Sequence, residues 1–286
     1  MSTTLQELRI AFVGAGSMAE AIFRGLIENK VADPDRIAVI NRSDRDKLER
    51  LQARYGVQVS FDTEGKNALI AAADIVVLAM KPKDVESSFA ELKQHLSSRQ
   101  LLVSVIAGLS IGKITALLET DAPIVRTMPN TSSTIGLGAT GLSFSAGVSA
   151  EQRGLALQMF ESVGIATVVD EPLLDIVTGV SGSGPAYVYY FMEAMTKAAV
   201  EGGLAEQEAR RLTVQTVLGA ARMVELTQED PAELRRKVTS PNGTTQAALQ
   251  TLDNHQFCEG IVRAVFRAAE RAKEMGEAIA PGVNQR

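Results

Sequence analysis

The stretch Arg9–Ala19, RIAFVGAGSMA, constrains this chain more than any other. It begins as a short apolar run rich in β-forming residues and ends on a glycine pair. The residues that follow have helical spacing, with Met18, Ile22, Leu26 and Ile27 on one face. Gly14-Ala15-Gly16-Ser17-Met18-Ala19 fits the pattern G-x-G-x-x-A. That pattern is weak standing alone. Here it follows a strand, opens a helix and starts a strand–helix–strand unit, the context in which it binds a dinucleotide. Gly14 permits the tight turn, Gly16 lets backbone approach a pyrophosphate, and Ala19 lets helix and strand pack closely. Ser17 and Met18 begin the helix, whose free N–H groups and positive dipole end face the anion.

The alternation continues along the chain. Ile37–Ile40, Asp74–Met80, Leu101–Ile106 and Ile124–Met128 read as buried strands. Helical patterns at Asp44–Tyr55, Val85–Leu96 and Ile111–Leu118 lie between them. Continuous apolar strands separated by helices mark a parallel sheet covered on both faces. Gly136–Ser145 and Ile165–Val169 read as two more strands around a helix at Gln152–Val163. Beyond Asp170 the strand signal fades, and Gly184–Gly202, Ala205–Leu226, Asp230–Val238, Thr244–Asn254 and Phe257–Met275 read as amphipathic helices. The expected fold is an α/β Rossmann-like domain with a mostly parallel, doubly wound sheet over residues 1–170. An all-α domain over residues 171–286 follows. Its helices are apolar on more than one face, which fits internal packing and packing against a second chain equally.

Composition narrows the partners. The net charge of −5, without long Lys/Arg runs, argues against nucleic acid or an anionic membrane. No apolar run reaches the roughly 18 residues of a membrane span, and the opening MSTTLQELRIAFVG has no signal-peptide layout. The expectation is a soluble, cytoplasmic protein. The single cysteine, Cys258, forms no internal disulfide and reads as a small packing residue in a helix. His95 and His255 have no histidine at ligand spacing, so no metal site is expected.

The end of the second strand selects the nucleotide. NAD sites usually carry Asp or Glu there, whereas this chain has Asn41-Arg42-Ser43. Arg42 can form charge-assisted bonds to a 2′-phosphate and Ser43 can donate another, which favours NADP (as NADPH) over NADH. The alternative for Arg42 is a solvated loop cation. Met80, Lys81 and Pro82 end a buried strand at the carboxyl edge of the sheet, where ligands of such folds sit. Ala107, within Ser104–Gly108, and Asn130, after Met128-Pro129, lie at the same edge and leave room for a nicotinamide ring.

The chemistry is read partly from what is missing. Gly179-x-x-Gly182-x-Gly184 resembles the helix start of the β-hydroxyacid dehydrogenases, but Val188 stands where that family has its lysine. No Tyr-x-x-x-Lys pair occurs either. Carbonyl reduction needs such an acid or base, so the chain points to an already polarised C=N bond. In Lys237–Leu249, KVTSPNGTTQAAL, Pro241-Asn242-Gly243 is a turn and Thr244-Thr245-Gln246 starts a helix. Such a helix mouth accepts a carboxylate, and the threonine hydroxyls can cap the helix or reach a substrate.

Across almost its whole length the chain resembles the pyrroline-5-carboxylate reductases. The likeness rests on the glycine loop, Lys81-Pro82, MPNT at Met128–Thr131, SGSGPAY at Ser181–Tyr187 and KVTSPNGTTQAAL. The resemblance implies reduction of 1-pyrroline-5-carboxylate to L-proline, the last step of proline biosynthesis, with NADPH preferred to NADH. It implies that Val238, Ser240, Gly243, Thr244 and Thr245 surround the substrate. Backbone at Gly243–Thr245 would hold the carboxylate, and the Thr245 hydroxyl, with Ser240 beside it, would serve the ring nitrogen. It further implies a homodimer through the helical domain, with both chains contributing to each site, and decamers as a higher assembly. Asn242 and Ser132 depart from the family, which often has Gly and Pro there; Asn still tolerates a left-handed turn.

Overall fold

The computed structural model describes residues 4–282. Strand β1 (Ile10–Val13) leads through the glycine turn into α1 (Ser17–Glu28), which buries Ala19, Ile22, Phe23 and Leu26. Then come β2 (Ile37–Ile40), α2 (Arg45–Tyr55), β3 (Gln58–Val59), α3 (Thr63–Ala71) and β4 (Ile75–Leu78). The chain continues through α4 (Val85–Leu92), β5 (Leu101–Ser104), α5 (Ile111–Leu118), β6 (Ile124–Met128), β7 (Gly138–Phe144), α6 (Ala150–Glu161) and β8 (Gly164–Val168). Helices α7 (Leu174–Val177), α8 (Gly184–Glu201), α9 (Glu206–Thr227), α10 (Pro231–Lys237), α11 (Thr244–Asn254) and α12 (Phe257–Ala278) complete it.

The strands form one 8-stranded sheet in the order β3-β2-β1-β4-β5-β6-β7-β8. Only the β6–β7 pair is antiparallel. From β1 the chain winds outward to β2 and β3, then returns to place β4 on the other side. The reversal leaves a crevice at the carboxyl ends of β1 and β4, where open α/β sheets bind ligands. Both faces of the central strands are buried, while the edge strands β3 and β8 are largely uncovered. On one, Phe12, Phe23, Val77 and Phe160 share a core with α1, α2 and α6. On the other, Val76, Leu78, Phe89 and Ile114 share a core with α4 and α5. Adjacent β4 residues alternate between these layers, as the period of a strand requires. The Rossmann-like sheet read from the sequence is borne out.

Three elements escaped the sequence reading, one of them the four-residue α7. Strand β3 is two residues long and not buried, and α3 buries only Ile70. Neither has the apolar period that announces an element. The start of α3 is nevertheless set locally: the Asp62 carboxylate accepts the Gly65 N–H at 2.7 Å. That hydrogen bond holds the Asp62 carboxyl below the usual carboxylate range, so the cap stays charged.

By compactness the chain forms two units. One runs to Ser183 and takes in the chain again from Arg267; the other is Gly184–Phe266. The composition change near Asp170 marks where strands end. The helical unit leaves much apolar surface uncovered, including Tyr190, Leu212, Leu226 and Phe266. Cys258, read from sequence as a packing residue, is exposed among these helices.

Phe23 ties the first strand–helix unit together. Its ring meets Phe12 edge-on at 5.6 Å and Tyr55 at 5.4 Å. Phe23→Ala removes a fully buried aromatic side chain and is expected to destabilise the fold by about 3–5 kcal/mol. Urea denaturation checks this; a loss below about 1 kcal/mol would show that the neighbours collapse into the gap.

Candidate functional site

The glycine turn is built by a close backbone approach. Gly14 has φ +119°, and a Cβ there would lie 2.4 Å from the Ala79 carbonyl oxygen of the segment leaving β4. Only glycine accepts both conditions. Gly16 is different: its φ is −72°, and a Cβ there would meet nothing within 4 Å. The space beside Gly16 is open, and no side chain caps α1. Its first-turn N–H groups are available to an anion. Ser17 and Met18 form that first turn, while Ala19 is fully buried where helix meets sheet.

A cavity of about 600 Å³ opens from this turn at the sheet reversal; Gly14, Gly16, Asn41, Arg42, Met80 and Lys81 line it. Lys47, Lys66 and Lys83 lie on the same wall. The sequence reading missed all three. Lys66 and Asn67 stand on α3, the helix without an apolar period, and Lys47 looks like any solvent-facing helix cation. The Asp62 cap before them was the available signal. Cations outnumber the carboxylates Asp44, Asp84 and Glu91 around this cleft. An overall acidic chain thus presents a locally cationic pocket, fit for a phosphate-bearing ligand.

Arg42 reaches over the cleft. Its guanidinium lies 3.9 Å from the Asp84 carboxylate and stays 75% exposed. So open a pair holds the arginine weakly and leaves it free to meet an anion. Lys66 donates to the Arg42 carbonyl at 3.3 Å, tying α3 to the β2 loop. Ser43 lines the cavity beside Arg42. Pro82 begins the short turn before α4, and Ala107 is half-buried after β5. Asn130 is buried and engaged within its own unit: its amide donates to the Ser181 carbonyl at 3.0 Å and accepts the Ala139 N–H at 3.1 Å. Asn130 therefore stitches the loop after β6 to β7 and to the segment before α8.

The helical unit carries a second feature of the same type. Helix α10 ends at Lys237, and the chain turns through Val238 and Ser240 to Asn242, whose φ is +60°. The left-handed turn expected of Asn242 is present. Gly243 is the N-cap of α11, and a Cβ there would sit 2.5 Å from the Ser240 hydroxyl. No side chain caps this helix. Among the described residues, the hydroxyls of Ser240, Thr244 and Thr245 hold no hydrogen bond. Of the two roles left open for the threonines, capping is not the one they adopt. The turn is held instead by the Asn242 N–H donating to the Gln246 side chain at 2.6 Å and by the Gly243 N–H donating to the Ser240 carbonyl at 3.0 Å. Bare helix N–H groups and unengaged hydroxyls side by side can receive a small carboxylate and a neighbouring polar atom.

Two regions of the chain match family models of known proteins. A family model described as pyrroline-5-carboxylate reductase dimerisation matches residues 171–275. A model described as NADP oxidoreductase, coenzyme F420-dependent, matches residues 9–108. Pyrroline-5-carboxylate reductase 1 of Bacillus subtilis is 40% identical over 98% of this chain and 93% of its own length. The chain belongs to the pyrroline-5-carboxylate reductase family. A solved reductase of this family from Coxiella burnetii superposes with a TM-score of 0.85 at 40% identity, covering 94% of this chain and 98% of the other. The Plasmodium falciparum pyrroline carboxylate reductase, solved with NADP bound, gives 0.85 at 29% identity over 95% and 99%.

Membership accounts for the exposed apolar faces of α8, α9 and α12, since the dimerisation region covers these helices. No described helix is long and apolar enough to cross a membrane. The described residues also contain no group of three or more His, Cys, Asp or Glu able to hold a metal ion.

Gly16→Val separates binding from folding, because the added side chain enters open space at an ordinary φ. The fold should lose no more than about 1 kcal/mol. NADPH affinity, read by fluorescence titration, should fall about tenfold or more, the equivalent of one charge-assisted hydrogen bond. Unchanged affinity would show that the phosphates lie elsewhere.

Proposed function

We propose that the protein reduces 1-pyrroline-5-carboxylate to L-proline with NADPH, completing proline biosynthesis. The observation that carries this reading is the uncapped mouth of α11, where Gly243 leaves N–H groups bare beside the unengaged hydroxyls of Thr244 and Thr245. The backbone N–H groups of Thr244 and Thr245, in the turn shaped by Gly243, would take the substrate carboxylate, helped by the positive end of the helix. The Thr245 hydroxyl would bond the ring nitrogen and orient the C=N carbon for attack. Ser240 and Val238 complete the surround, the first as a polar contact and the second as an apolar wall. NADPH supplies the hydride. The cyclic imine arrives protonated from solution, so hydride addition at carbon yields the neutral amine directly. No protein acid is required, which matches the absence of a lysine or a Tyr/Lys pair at the helix start.

The glycine turn and α1 mouth, Gly14–Ala19, would hold the pyrophosphate, and Asn41, Arg42 and Ser43 the 2′-phosphate end of NADPH. Lys47 and Lys66 would add positive charge there. Met80, Lys81, Pro82, Ala107 and the loop braced by Asn130 would line the nicotinamide half. In sequence terms, residues 1–170 serve the dinucleotide and residues 171–286 serve the substrate and the homodimer. Decameric assembly and residence in the cytoplasm complete the proposal.

The deciding assay follows NADPH oxidation with pyrroline-5-carboxylate and confirms proline as product; NADPH binding without turnover would sink the reading. Arg42→Ala should raise the Michaelis constant for NADPH by about 10- to 100-fold, the worth of hydrogen bonds to a charged group, and leave that for NADH nearly unchanged. Thr245→Ala should cut kcat about tenfold or more while NADPH affinity holds, as loss of one orienting hydrogen bond predicts. Normal turnover in that variant would remove the threonine from the chemistry.

A further inference from the structure

Lys113 is a lysine buried away from any carboxylate partner. It sits in the first turn of α5 and is only 6% exposed. Its ammonium donates to the carbonyls of Gly276 at 2.8 Å, Glu277 at 3.0 Å and Ile279 at 2.6 Å. Those carbonyls lie in and just beyond the last turn of α12, where helix carbonyls lack their i+4 donors; Gly276 also accepts the Ile279 N–H at 3.3 Å. A lysine has three donors, and all three are used. The positive charge also faces the negative end of the helix dipole. Lys113 is thus a C-terminal cap delivered from another helix.

What this cap holds in place lies beside the cofactor cleft. Gly108, with φ +77°, packs backbone against backbone on α12: a Cβ at Gly108 would lie 2.5 Å from the Ala272 carbonyl oxygen, and one at Gly276 would lie 1.9 Å from the Gly108 carbonyl oxygen. Gly108 directly follows Ala107 in the loop that leaves β5. On the other flank, the Ala280 N–H donates to the Glu86 carboxylate at 3.0 Å. Glu86 stands in the first turn of α4, just after the Lys81-Pro82 strand end. Ile279 and Ala280 are buried in the core layer that holds Phe89, Ile106 and Leu109. The end of α12 therefore braces two strand-end loops at once, those after β4 and β5.

We propose that Lys113 is a positioning residue for the nicotinamide-side loops, acting through the capped end of α12. The proposal rests on the reading above that Met80–Pro82 and Ala107 line the nicotinamide half of the cleft. Without the ammonium, the Glu277 and Ile279 carbonyls lose their donor and Gly276 keeps only the Ile279 N–H at 3.3 Å, so the last turn of α12 frays and Gly108 loses the surface that fixes it. A loop misplaced by a fraction of an ångström weakens cofactor placement before it unfolds the protein.

The full-length chain carrying Lys113→Met, Lys113→Arg or Glu86→Ala tests this. NADPH affinity is read by fluorescence titration, steady-state constants are measured for NADPH and the imino acid, and circular dichroism follows the fold. Lys113→Met should raise the NADPH dissociation constant about tenfold or more, because misplacement of that order costs one to two powers of ten. The Michaelis constant for the imino acid should stay within about twofold, and Lys113→Arg, which keeps charge and donors, should restore most of the NADPH affinity. Glu86→Ala, at an exposed rim position, should shift NADPH affinity in the same direction by a smaller factor. NADPH affinity within twofold of the parent in both Lys113→Met and Glu86→Ala overturns the proposal and leaves a purely structural cap. If Lys113→Met does not fold, Glu86→Ala decides alone on the same criterion. A parent chain that fails to bind NADPH overturns the underlying reading of the cleft instead.

Discussion

The sheet unit is organised around the approach of two backbones at Gly14. A turn that leaves β1 with φ +119° and passes within contact of the Ala79 carbonyl admits no side chain. Because it is this tight, α1 starts at once and lies back over the sheet with Ala19 at the contact. The N-terminus of α1 is then aimed at the reversal between β1 and β4. The cleft, the strand-end loops of β2 and β4, and the cations around them are all placed relative to that turn.

The helix starts of this chain are satisfied in different ways. Helices α2, α3, α5, α6 and α10 have side-chain caps from Asp44, Asp62, Ser110, Ser149 and Asp230. Helices α1 and α11 have glycine at the N-cap and no side-chain cap. An Asp or Ser there would satisfy the helix N–H groups internally, a gain of about 1 kcal/mol, and would remove the donors an anion needs. Helices α4, α7 and α9 also lack a side-chain cap, but have Asp84, Leu173 and Ala205 at the N-cap; the function proposed above places a pyrophosphate and a carboxylate at the two glycine mouths. The end of α12 shows the converse: Lys113 donates to the Gly276, Glu277 and Ile279 carbonyls there.

Charge follows the same logic. The chain is acidic as a whole, yet Arg42, Lys47, Lys66, Lys81 and Lys83 converge on one cleft. They come from the β2 loop, α2, α3 and the β4 loop, so each looks like an ordinary surface cation until the fold gathers them. The locally positive field concentrates a polyanionic ligand without lysine or arginine runs in the chain.

The sequence by itself determined the parallel sheet, the glycine turn and the helix-mouth segment around Gly243, because each depends on short-range rules: continuous apolar strands, a glycine spacing and a turn that opens a helix. It also placed α11 and most strands close to their observed ends. It did not reveal β3, α3 and α7, whose residues are too few or too exposed to show a period, and so it missed Lys66 and Asn67 on α3. It left the threonines of α11 between capping and reaching a ligand; only the folded turn, held by Asn242, Gln246 and Ser240, shows their hydroxyls unengaged. Tertiary structure alone decided that Asn130 braces a loop through Ser181 and Ala139, and that Lys113 caps a helix more than 160 residues away. Such contacts join residues distant in the chain by complementarity of shape and hydrogen bonding, and no local pattern records them.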